Sequence, residues 1–326
     1  MMNKFTSLYR QALLACIVGL CQPAIAAANG LKHEPALAVA GADKATMLAA
    51  VAAGKRLVAV GDRGTVLLSD DNGKRFRQAR HVPTRATLNA VHFINPREGW
   101  AVGHWGVIMH TADGGETWTM QRDELDADQP LFAVWFKDDK TGLAAGLWSL
   151  LLRTDDGGKT WNKLTLPIAE GRANFGKNLF GIFQGSQGDL FIAAEQGSLY
   201  RSQDGGSQWS EIRTGNTGTF WAGITLDGGA MLVAGLRGKV YRSADGGSVW
   251  TAVESGTKSS ITDIAQLSDG RIVAVGLDGV SLESRNSGAS FIVSTRLDRT
   301  PNTAVVAGAD GVIVKFTMAG VESPVK

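Results

Sequence analysis

One block of about a dozen residues recurs along this chain, and its spacing limits the fold more than any other feature. VAVGDRGTVLLS ends at Ser69, AVGHWGVIMHT at Thr111 and AAGLWSLLLRT at Thr154. IAAEQGSLYRS ends at Ser202, VAGLRGKVYRS at Ser243 and VAVGLDGVSLES at Ser284, and a weaker copy, VKFTMAGVES, follows. Each reads as a β-run, a two-residue turn usually closed by glycine, and a second β-run with alternating apolar positions. The residues leading into the turns are Gly61, Gly103, Gly146, Ala194, Gly235, Gly276 and Thr317, spaced by 42, 43, 48, 41, 41 and 41 residues. β-Units repeating at just over 40 residues suit a ring of four-stranded sheets. Seven turns predict an all-β fold, a seven-bladed β-propeller of four-stranded antiparallel blades.

Blade 2 shows the expected plan: an inner strand over Leu88 to Ile94, a second over Gly99 to Val102, and a turn at His104 and Trp105. The third strand follows over Val107 to Thr111, and the outer strand starts at Trp118. Blade 7 has runs at Thr303 to Val306 and Gly311 to Phe316, then a short third, and the sequence stops before a fourth. Residues 35–41 (PALAVAG) are expected to supply that outer strand, so that an N-terminal strand closes the ring and no edge is left open. The longest interval holds a polar, glycine-rich insertion over residues 167–177, expected as a loop.

Between third and outer strands lies the most specific motif: TADGGETW from Thr111, TDDGGKTW from Thr154, SQDGGSQW from Ser202 and SADGGSVW from Ser243. SDDNGKRF from Ser69 and SRNSGASF from Ser284 are degenerate copies. The aspartate can accept bonds from turn amides, and glycine permits left-handed backbone. A structural role is therefore expected for Asp113, Asp156, Asp204 and Asp245, with Trp118, Trp161, Trp209 and Trp250 packing between blades.

This pattern resembles the Asp-box, or BNR, repeat of sialidase-type propellers, a resemblance that implies structural boxes away from any catalytic pocket. The wider blade is more particular. Gly99-Trp100-Ala101-Val102-Gly103, followed by the turn and the box, is similar to the photosystem II stability/assembly factor family and its bacterial relatives. The similarity runs from about Lys44 to Val321. It implies a non-catalytic scaffold that binds a membrane-protein complex or its assembly intermediate.

Several chemistries lack their residues. Sialidase action needs a tyrosine nucleophile and an arginine cluster, yet Tyr200 and Tyr241 occupy one repeat position as packing residues. The alternative of a carbohydrate-binding or hydrolysing Asp-box propeller would need carboxylate pairs facing the channel. The histidines are scattered without metal spacing, no nucleophile-elbow motif occurs, and the acidic run Glu124 to Asp128 lacks a calcium-loop pattern. The sequence therefore points away from an enzyme, a metal site or a cofactor. Charge is balanced, 33 basic against 31 acidic residues, and no strand–glycine loop–helix unit occurs, which argues against nucleic acid and nucleotide.

The nine tryptophans sort by position. Four belong to boxes, and Trp100 and Trp135 lie inside strands. Trp105 and Trp148 sit in turns where the repeat asks only for glycine spacing, and Trp221 begins an inner strand. These turns and the inter-blade loops converge on one face. A partner-binding surface is expected there from Arg63, Arg85, His104, Trp105, Trp148, Arg172, Trp221 and Arg237, because tryptophan with arginine is the composition of an interaction hot spot. Glu195 and Asp278 share the face.

Residues 1–28 read as a cleaved signal peptide: Lys4 and Arg10, a short apolar run from Gln11 to Cys21, then small residues. Residues 29–326 then form one propeller. Removing Lys4 and Arg10 balances the charge at 31 against 31 and removes both cysteines. The expected product is a periplasmic or secreted monomer with no membrane span and no disulfide.

Overall fold

In the computed structural model, which describes residues 33–167 and 176–322, the strands follow the sequence repeat. Blade 1 is built from Met47–Ala53, Arg56–Gly61, Val66–Ser69 and Arg77–Gln78, each paired antiparallel with the next. Blade 2 uses Leu88–Phe93, Gly99–Gly103, Ile108–Thr111 and Thr119–Arg122, and blade 3 Leu131–Phe136, Gly142–Gly146, Leu151–Thr154 and Asn162–Leu164. Blades 4, 5 and 6 repeat the plan from inner strands Leu179–Gln184, Phe220–Thr225 and Ile261–Gln266. Blade 7 holds Asn302–Ala307, Ile313–Thr317 and Gly320–Val321. Consecutive inner strands touch all the way round, blade 7 against blade 1 included, so the ring is closed.

Period-2 alternation explains the stacking. Second strands are buried on both faces, and successive side chains point to opposite neighbours. In blade 2, Ala101 joins a cluster with blade 1, whereas Trp100 and Val102 join one with blade 3. Seven such clusters occupy the seven seams. Trp100 lies flat on Phe136 across its seam, with ring centroids 3.5 Å apart.

The expected closure by residues 35–41 is not what the structure shows. Ala36 donates its amide to the carbonyl of Val82, Val39 donates to Gln78 Oε1, and Gln78 Nε2 donates to the carbonyl of Leu37. The segment thus runs as a strap along the outer edge of blade 1, partnered by a side chain rather than a ladder. Among the described residues blade 7 keeps three strands. Its seam with blade 1 is held by packing instead: Met47, Leu57 and Leu67 meet Val306, Val314 and Phe316. Polar ties reinforce the contact. Thr303 Oγ1 donates to the Met47 carbonyl at 2.5 Å, and the Asn72 amide exchanges two bonds with the backbone of Ala309.

Candidate functional site

Six of the seven turns between second and third strands share one conformation, that of blade 7 excepted. Their two central residues are both left-handed: Arg63 and Gly64, Trp105 and Gly106, Trp148 and Ser149, Gln196 and Gly197, Arg237 and Gly238, Asp278 and Gly279. Two successive left-handed residues make a type I′ turn, the hairpin whose twist matches that of its strands. The first of each pair is never glycine, with φ between 53° and 58°. Bulky residues there are outliers and need bracing.

The brace repeats with the blades. The residue after each leading glycine donates its amide to the carbonyl just ahead of that blade's inner strand: Asp62 to Thr46, His104 to Thr87, Leu147 to Pro130, Leu236 to Thr219 and Leu277 to Ser260. A Cβ at Gly103 would stand 2.0 Å from the Thr87 carbonyl oxygen, which explains the glycine leading into the turn. These bonds bring the turn tips and the inter-blade connectors onto one face, which carries most of the residues the sequence singled out.

Their environments differ. Trp148 is open to solvent, 62% exposed. Its amide is held by Asn178 Oδ1 at 2.9 Å, and Ser149 donates both amide and hydroxyl to the Lys177 carbonyl. Arg63 and Arg237 are exposed, and among the described residues neither side chain meets a carboxylate. Trp105 is half-buried against the cluster between blades 1 and 2. Its amide and the His104 ring both bond Asp128, at 2.7 and 3.0 Å. The acidic run over residues 124–128 thus serves as a turn brace. Arg85 is already engaged: it pairs with Glu34 at 2.6 Å and donates to the Pro35 carbonyl, pinning the strap. Glu195 is engaged too, accepting two bonds from Asn178. Arg172 lies outside the described residues, as does the signal segment.

Trp221 belongs to a set that sequence reasoning missed. The pairing of inner and second strands shifts by one residue near the start of every inner strand. The bulged residues are Leu48, Asn89, Phe132, Phe180, Trp221, Thr262 and Thr303, all half-buried at one level of the ring. Three are polar and cap the next blade: Asn89 donates to Leu131, Thr262 to Asn302 and Thr303 to Met47. Blades 3, 4 and 5 carry aromatics instead, and Phe132 stacks on Phe180 with centroids 5.2 Å apart. The signal is present in sequence as one aromatic at a fixed repeat position.

At the other end of the third strands the box side chains close their turns. Thr111 Oγ1 donates to Asp113 Oδ1 and receives the Gly115 amide, while Thr117 gives Asp113 its amide and its hydroxyl. Asp156, Asp204 and Asp245 repeat the arrangement, and so do the degenerate Asp71 and Asn286. Trp118, Trp209 and Trp250 close the turn by donating indole N–H to Gly115, Gly206 and Gly247, and each packs onto the preceding blade. Trp161 packs likewise, against the blade 2 side. Among the described residues no group of three or more histidine, cysteine or carboxylate side chains is placed to hold a metal. No helix among them is long and apolar enough to cross a membrane.

The profile of the family described as photosynthesis system II assembly factor YCF48 matches residues 78–167 and 120–290. The chain belongs to this family. The photosystem II assembly protein Ycf48 of Thermosynechococcus vestitus is 39% identical over 136 residues, which is 41% of this chain and 38% of that protein's length. A solved structure of YCF48 bound to a D1 peptide superposes with a TM-score of 0.67 at 18% identity, covering 90% of this chain and 97% of that one. YCF48 from Cyanidioschyzon merolae gives 0.67 at 15% identity, covering 85% and 94%. Streptogramin B lyase gives 0.71 at 14% identity, covering 86% and 93%. At such identities the superpositions speak for the ring alone.

Proposed function

We propose that this Ycf48-family propeller is an exported, non-catalytic scaffold that captures a segment of a membrane-protein complex or its assembly intermediate on its turn-tip face. One observation carries the reading. Trp148 is a large apolar side chain held in left-handed backbone, braced by Asn178 and Lys177, and left 62% exposed. A hairpin gains nothing from that residue, and a protein pays in strain for such a conformation where function uses it. The exposed Arg63 and Arg237 on the same face supply charge-assisted donors, and tryptophan with arginine suits a binding hot spot. Family membership and a related ring whose structure holds a peptide support the same reading.

His104, Trp105 and Trp221 extend this surface, Trp105 also serving as a plug for its seam. Arg85 contributes by holding the strap, and Arg172 is proposed as a further contact. Residues 1–28 are proposed as the cleaved export signal, and the mature chain as a monomer without cofactor.

The test is capture from detergent-solubilised membranes of the source cells, read by cross-linking and mass spectrometry beside a thermal melt. Trp148→Ala and Arg237→Ala are expected to weaken capture about thirtyfold when combined, since each 1.4 kcal/mol is tenfold. The melt should stay within a degree or two of wild type. Undiminished capture by the folded double variant would overturn the tip-face reading.

A further inference from the structure

Between the tip of blade 4 and the connector to blade 5 lies a cleft of about 310 Å³, lined by Lys177, Gln196, Ser198, Arg213 and residues 215–217. Among the described residues its charge is unbalanced. Lys177 Nζ bonds Glu211 and Ser198 Oγ, both at 2.5 Å, and Ser198 also donates to Glu211 at 2.7 Å. Lysine and glutamate side chains there are 14% and 12% exposed, so this pair is spent on itself. Arg213 is different. Its Nε stands 3.6 Å from the same Glu211 oxygen, and its side chain is 60% exposed. Two cations thus share one carboxylate, and the guanidinium keeps most of its fork open. A planar guanidinium with free N–H groups is matched by a carboxylate.

The cleft adjoins the aromatic arc. Phe180 is three residues beyond Lys177, and Trp221 four beyond Thr217, each in the inner strand that follows. Three or four extended residues reach at most about 10–14 Å, so the arc begins within that distance, inward toward the ring axis. Phe132 and Phe180 present stacked rings there, and no polar cap of the kind made by Asn89, Thr262 and Thr303 occupies these three positions.

We infer that this sector of blades 3 to 5 reads an extended peptide by two features: an acidic side chain bound at Arg213 in the cleft, and an apolar side chain about four residues away seated on Phe180 and Trp221. The inference rests on the tip-face reading and gives it a ligand class. Excess positive charge selects the acid, and the half-buried rings select an apolar partner that desolvates them.

The probe is a fluorescein-labelled, terminally blocked nonapeptide of glycine and serine carrying one glutamate and, four positions later, one phenylalanine. Companion peptides replace the glutamate by glutamine or the phenylalanine by serine. Anisotropy titrations on the full chain should show the parent binding at least tenfold tighter than either companion. Arg213→Gln should erase the preference for glutamate over glutamine while leaving phenylalanine over serine intact. Trp221→Ala should do the reverse; if that variant melts early, the phenylalanine and serine peptides on wild type decide the point. Equal binding of the glutamate and glutamine peptides, or a preference that survives Arg213→Gln, overturns the inference. Membrane capture that depends on Trp148 and Arg237 without peptide discrimination would sink this inference and leave the tip-face reading standing.

Discussion

The two hairpin families at opposite ends of the third strands are held by different means. At one end the Asp-box turns are fixed by their own side chains: a hydroxyl, a carboxylate and two amides close each loop, and in three of them a tryptophan indole donates to the box glycine while its ring packs in the preceding seam. Every residue with a side-chain bond there is constrained, and the motif repeats almost letter for letter. At the other end the type I′ tips are hung on backbone bonds to the carbonyl ahead of the inner strand. Only the leading glycine and the second left-handed residue are dictated, so the first left-handed position carries arginine, tryptophan, tryptophan, glutamine, arginine and aspartate in turn. Backbone-held turns leave side chains such as Arg63, Trp148 and Arg237 available for recognition; side-chain-held turns spend them on the fold.

Two tryptophans put the largest contrast on this difference. Trp118 is 1% exposed in the seam between blades 1 and 2, whereas Trp148 is 62% exposed at a tip. Trp118→Ala should cost about 3–5 kcal/mol, the range for removing a buried large aromatic. Trp148→Ala should move stability by less than about 0.5 kcal/mol, as surface changes do. Chemical denaturation of both variants measures the gap. A Trp148→Ala loss comparable to that of Trp118→Ala would show that the tips are structural as well.

The box carboxylates give a smaller effect with a pH signature. Asp113→Ala should cost about 1–2 kcal/mol, because the amide and hydroxyl of Thr117 and the hydroxyl of Thr111 lose their acceptor. The hydroxyl and then the amide of Thr160 hold Asp156 down at about 2, and the Arg75 side chain, followed by its amide, does the same for Asp71. An unfolded aspartate titrates near 3.9. A folded value below the unfolded one contributes stability that is full above about pH 4 and is lost as pH falls toward 2. The melting temperature should therefore drop over that window, and Asp156→Asn should flatten part of the drop. Asn286 shows that an amide can occupy the position, since its Oδ1 accepts from Ser284 and Ser290. A melt equally steep in Asp156→Asn would mean that other carboxylates govern acid unfolding.

The ring and its blade boundaries were legible because a 41-residue repeat, a period-2 apolar pattern and the box all mark the same frame. The edge of blade 1 was not. Residues 35–41 look like a strand in search of a sheet, and blade 7 has only three strands among the described residues, yet the segment is held by the Gln78 side-chain amide and by Arg85. A side-chain partner 39 or 41 residues away leaves no periodic mark. The tip face was legible as a set of positions but not as a set of environments. Arg85, His104 and Trp105 share the repeat logic of Arg63 and Trp148, and only the fold shows that Glu34, Asp128 and a seam cluster already engage them. The aromatic arc went unread because the bulge that aligns Phe132, Phe180 and Trp221 displaces them from the strand's simple alternation.

The smallest predicted effect tests whether the tip residues are held against their preference. Arg237 has φ 58°, and a left-handed residue other than glycine or asparagine costs about 1–2 kcal/mol. Glycine would relieve that strain but adds about 0.5–1 kcal/mol of entropy to the unfolded chain. The two terms oppose, so Arg237→Gly should leave stability within about 1 kcal/mol of wild type, on the stabilising side. Arg237→Val should lose stability at the same position, because a β-branched side chain suits left-handed backbone least. Denaturation midpoints of the three proteins decide it. If glycine destabilises more than valine, the arginine side chain holds the turn, and its place among the residues free for recognition would have to be given up.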